Sequence, residues 1–169
     1  MRFLKPKAAN EQIGRSYPPV SFIFFLLIFC QPGCQTIPAL QKMNLSEPGW
    51  TVQQGQAVWR TERNAPEIAG DLIVAANPDG RSVLQFTKTP LPFVVAQTTT
   101  NTWQIQFVPR HKTYSGRGTP PTKIIWLYLP RCLAGSPPPK SWSWQRVEND
   151  GWRLENRTTG ELLEGFLNP

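Results

Sequence analysis

From Trp50 to the C-terminus, apolar and polar residues alternate in short runs separated by turn-forming residues. This is the pattern of antiparallel strands with one buried and one wet face. In "EIAGDLIVAA", Ile68, Gly70, Leu72 and Val74 share one face, and Glu67 and Asp71 the other. "NPDG" and "RSVLQFTK" follow, a hairpin signal in which Pro78 presets φ and Gly80 accepts the positive φ that closes the turn. A second hairpin joins "PFVVAQ" to "TWQIQFV" across "TTTN", with Trp103, Ile105 and Phe107 on one side and Gln104 and Gln106 on the other. The last strands, "SWSWQRV", "GWRLEN" and "ELLEGFL", are linked by "ENDG" and "RTTG", and Trp142, Trp144, Trp152 and Leu154 line one face. Between these groups, residues 110–121 are loop by composition. A short helix is predicted over "TPPTKIIWLYL", capped by Thr119 and stopped by Pro130, with Ile125, Trp126 and Leu129 on one side. The fold class is mainly β (α+β): a curved antiparallel sheet or half-barrel with one or two short helices packed against or capping it.

The first 49 residues break this pattern. A basic stretch, residues 1–19, precedes an apolar run, Val20 to Cys30, of eleven residues. As a helix it would rise about 16 Å, well short of the roughly 30 Å hydrocarbon core. A short apolar run behind basic residues and before small ones matches a secretory signal. Cys34 follows Gly33, a small residue suited to cleavage, whereas Cys30 follows Phe29. The segment resembles a bacterial lipoprotein signal, with Gln31 and Pro32 where the usual pattern has Leu and Ala or Ser. That resemblance implies removal of residues 1–33, lipidation of Cys34, and anchoring to the outer membrane facing the periplasm, Gln35 standing where an inner-membrane retention signal has Asp. Two or three acyl chains hold stably, at about 0.8 kcal/mol per buried methylene. Residues 34–49 then form a lipidated N-terminus and tether, and residues 50–169 a single β-rich domain.

The net charge of +7 owes part of its size to that leader. Without residues 1–33 there remain 14 Lys plus Arg against 10 Asp plus Glu. The remaining cations, such as Arg60, Arg81, Lys88, Arg110, Lys123 and Arg146, are scattered singly, so nucleic acid is not expected as a partner.

The residues that carry chemistry are sparse. His111 is the one histidine, in a basic loop beside Arg110 and Lys112. With Cys34 acylated, Cys132 is the one thiol left, so neither a zinc ligand set nor a disulfide can be assembled. A Cys132–His111 dyad is the best nucleophile arrangement on offer, and neither neighbourhood supports it. The carboxylates Glu67 and Asp71 belong to a solvated strand face, and "SGRG" at 115–118 lacks the spacing of a phosphate loop. No catalysis, metal or cofactor is expected.

Apolar and aromatic surface is abundant instead, with all seven tryptophans between residues 50 and 152. Two arrangements account for them: the solid core of a one-sided sheet, or the lining of an apolar cavity that an incompletely closed sheet leaves open to a ligand. The residues that would line such a cavity are Trp59, Leu72, Val74, Phe86, Leu91, Val95, Trp103, Ile105, Phe107, Trp126, Trp144 and Trp152.

The order of these elements resembles the LolA/LolB-type lipoprotein carrier and receptor family. The resemblance rests on "GQAVWRTE" and "EIAGDLIVAA" as opening strands, "LQFTKTPLPFVVAQTTTNTWQIQF", "IIWLYLPRCLAG" as a lid region and "NDGWRLEN" as a late strand. It implies a half-barrel capped by helices that binds the acyl chains of lipoproteins or lipids as a monomer. It also implies that Leu91, in "KTPLPF", matches the leucine that projects from a loop and helps take over acyl chains. The other reading of the same residues is a structural lipoprotein with a solid core that binds a partner protein through a sheet edge or the loop 110–121.

Overall fold

The alternating runs become nine strands in a computed structural model that describes residues 43–148 and 150–168. The chain divides into two units, Met1–Thr36 and Ile37–Pro169, and the described residues belong to the second. The strands are β1 (Thr51–Arg60), β2 (Ile68–Ala76), β3 (Ser82–Lys88), β4 (Leu91–Thr98), β5 (Thr102–Phe107), β6 (Lys112–Arg117), β7 (Trp142–Val147), β8 (Gly151–Asn156) and β9 (Leu162–Asn168). Between β6 and β7 lie a 3-10 turn, Ile125–Leu127, and a five-residue helix, α1 (Leu129–Leu133).

All nine strands form one antiparallel sheet in the order β6-β5-β4-β3-β2-β1-β9-β8-β7. Six strands run as a meander in one direction and three in the other. The two groups meet where the first strand pairs with the last, Ala57 opposite Gly165. The sheet is open, with β6 and β7 as its edges, and the segment between them covers one face. That face carries Ala57, Trp59, Leu72, Val74, Leu84, Phe86, Ile105, Leu154 and Leu163 in one buried cluster with Ile125, Trp126, Leu127 and Leu129 from the covering segment.

Glycine permits the tight coiling at the join. A Cβ at Gly165 would fall on the Gln56 carbonyl oxygen, and one at Gly55 on that of Phe166, so β1 and β9 approach there in a way no side chain tolerates. A second irregularity lies between β3 and β4. Phe86 pairs with Val94 and Thr87 with Pro92, so Phe93 is an extra residue on β4. The bulge lets both Phe93 and Val94 pack against the core.

Several sequence-based expectations change here. Residues 112–117, expected as loop, are the edge strand β6, in which Gly116 leaves room for the Trp103 ring. The helix expected over 119–129 is instead the 3-10 turn followed by α1. Pro130, expected to stop it, sits in the first turn of α1, where its missing N–H costs nothing. The tether ends in turns that are pinned to the sheet. Arg81 pairs with Glu47 at 3.0 Å and lies over the Trp50 ring, and Asn77 donates to the Pro48 carbonyl.

Candidate functional site

Of the two arrangements open to the tryptophans, a solid core and a lined cavity, the interior takes the first and is filled by the chain itself. Trp126, 1 % exposed, has its ring 5.3 Å from that of Trp59 and 5.2 Å from that of Phe86. Phe93 and Phe107 complete the aromatic cluster around Trp59. Among the described residues, the backbone hydrogen bonds of 119–140 close mostly within the segment itself, as in Ile124 to Pro121, Tyr128 to Ile125 and Cys132 to Tyr128, and Trp142 N–H donates to the Pro139 carbonyl where the segment enters β7. Side chains anchor it: Trp142 Nε1 donates to the Thr122 carbonyl at 2.9 Å, and Arg146 to that of Leu133 at 3.3 Å. The plug is therefore held by packing and a few side-chain bonds, without strand pairing.

The indole N–H groups in this interior are treated unequally. Trp59 donates to Glu161 Oε1 at 3.0 Å. Those of Trp103, Trp126 and Trp152 are buried with no acceptor among the described residues, at a cost of about 1–3 kcal/mol each.

Of the twelve residues expected to line a cavity, Trp59, Leu72, Val74, Phe86, Trp103, Ile105, Trp126 and Trp152 are brought together in the buried cluster, and Phe107 and Trp144 pack against it partly buried. Val95 is a correction: it pairs with Gln85 and Gln106 on the opposite face, because Val94 and Ala96 take the inward positions of β4. Leu91 is also outside the cluster. It opens β4, beside the turn from β3, and is 67 % exposed, so it lines no interior. The residues expected to line the interior leave out Phe93, which the bulge hides, and Ile125, which the sequence places on one side of a short helix.

On the opposite face, a groove of about 740 Å³ crosses β2, β1, β9 and β8. Gln56, Asp71, Phe166, Gly151 and Val147 form one register row of its lining, alternating with the row of Ala57, Gly70, Gly165 and Trp152, of which Ala57 and Trp152 are buried. Its carboxylates have partners: Thr89 Oγ1 donates to Asp71, and Arg153 pairs with Glu164 at 2.9 Å.

Titratable groups follow their burial. Cys132 is 1 % exposed, and burial pushes its thiol up to about 11, away from the thiolate a nucleophile needs. His111 is exposed, in the left-handed conformation (φ 48°) that ends the turn before β6. Burial raises the Glu161 carboxyl above its ordinary value of 4.5, and the Trp59 hydrogen bond opposes the shift. Among the described residues, no three His, Cys, Asp or Glu side chains gather as metal ligands. Cys34 and residues 1–33, on which the expectation of a lipid anchor rests, lie outside the described residues. No protein-family model matches the chain, and no curated protein matches it.

Proposed function

We propose that the protein is a lipid-anchored, periplasm-facing carrier or acceptor of acyl chains. The observation that carries this reading is the plug. An open sheet presents a largely apolar, aromatic interior, and the segment that fills it has no strand pairing to break when it withdraws. An acyl chain offers the same apolar contacts as Ile125, Trp126 and Leu127. An acylated glycerol adds ester carbonyls as acceptors for the buried indole N–H groups of Trp103, Trp126 and Trp152. Leu91, exposed at the turn from β3 to β4, is the residue that first meets the incoming chain.

A fluorescent acyl probe titrated into the folded chain is expected to be taken up saturably. Trp126→Ala, which empties the position between Trp59 and Phe86, should tighten uptake while costing roughly 3–5 kcal/mol of stability. A folded chain with no saturable uptake excludes the reading. A second reading is favoured by the edge strand β6, paired among the described residues only with β5: a partner protein that adds a strand there. A complex that survives in Gly116→Pro, which spoils the β6 backbone, would remove it.

A further inference from the structure

Between Lys88 and Val147 the chain carries eight Lys or Arg and no Asp or Glu. Every acid of the described residues lies within 47–79 or 148–164. The topology gathers most of this basic run onto the open side of the sheet, while Lys88, at the end of β3, lines the groove with Asp71. β6, with exposed Lys112 and Arg117, is one edge, and β7, with exposed Arg146, is the other. The plug between them turns Ile125, Trp126 and Leu127 inward and leaves Lys123 and Arg131 exposed. The Arg146 hydrogen bond to the Leu133 carbonyl ties the β7 edge to the plug. The ion pairs of the described residues all lie elsewhere, on Arg60, Arg81 and Arg153. The cations of this side have no carboxylate to neutralise them.

We propose that this side of the molecule docks on an anionic phospholipid surface. Its cations are spread over two edge strands, a helix and loops, a layout that matches a plane of charge better than a single acidic peptide. Each Lys or Arg close to such a surface adds attraction that falls off within a Debye length. Tyr114 on β6, 46 % exposed, supplies an apolar ring among the cations. The acids of β2, β8 and β9 are repelled, which orients the plug toward the headgroups. Docking extends the acyl-binding reading and rests on it only for the cargo that would cross there.

The test uses the full chain in nanodiscs of phosphatidylcholine, mixed with heavy vesicles of phosphatidylcholine alone or with phosphatidylglycerol added. The protein should sediment with the anionic vesicles and not the neutral ones, and high salt should release it. Neutralising the three cations in Lys123→Gln, Arg131→Gln and Lys140→Gln together should weaken binding by roughly a hundredfold, whereas Arg63→Gln with Arg157→Gln, outside the basic run, should weaken it far less. Equal sedimentation with both vesicles overturns the proposal, and so does a triple variant that binds as well as the original. Capture of an acidic protein without any vesicle preference also overturns it, in favour of a protein partner. Uptake of the acyl probe is read separately, so a chain that takes up probe without preferring anionic vesicles loses only the docking, and the converse result removes only the acyl reading.

Discussion

Glu161 is a carboxylate held where water reaches it poorly, with the Trp59 indole as its donor. Its pKa in the folded state lies above the unfolded value, so the native chain binds the proton more tightly. Stability is greatest with the group protonated and falls as pH rises from 4.5 through the raised value. Glu161→Gln keeps an acceptor for Trp59 and removes the ionisation, so urea denaturation across that range should show a flatter decline than the original. An unchanged slope would assign the decline to other groups. Leu91 is the opposite case, since its exposure means that Leu91→Ser should shift stability by less than about 0.5 kcal/mol while slowing acyl uptake severalfold. Loss of stability in that variant would make it a packing residue. Leu91 is singled out by the family resemblance alone, and Glu161 is not legible in the sequence, because its partner Trp59 lies on a strand distant in sequence.

Strands and turns were largely legible because period-two alternation and turn residues are local signals. Both "NPDG" and "TTTN" close the hairpins expected of them, and the final meander of β7, β8 and β9 follows "ENDG" and "RTTG". The failures have longer-range causes. In "PFVVAQ" two adjacent valines fit either face, and only the bulge opposite Phe86 decides that Val94 turns inward and Val95 outward. "KTYSGR" has no apolar alternation, and it is a strand because Gly116 accepts the Trp103 ring on β5. The sharpest requirement on an element lies at the β1–β9 join. Gly165→Ala would drive a methyl into the Gln56 carbonyl, and it should destabilise the protein by about 3 kcal/mol in denaturant melts. A neutral result would mean that the two strands separate there at little cost.

At the scale of the whole molecule, the sheet carries its acids mainly on β2, β8 and β9, and its unpaired cations around the open side. That segregation is present in the sequence, yet the same residues look like scattered single charges until the topology places β6 and β7 at opposite edges. The filled interior was not legible, because an apolar residue that lines a cavity and one that fills it have the same pattern. The account's central claim is that the plug and an acyl chain compete for one volume. The measurement that tests it most directly is hydrogen exchange of the Ile124–Leu133 amides during titration with an acyl probe. The account predicts saturable uptake with faster exchange in these amides, while β1, β2 and β9 stay protected. Uptake that leaves their exchange unchanged, or no uptake by a chain whose sheet remains protected, would contradict it.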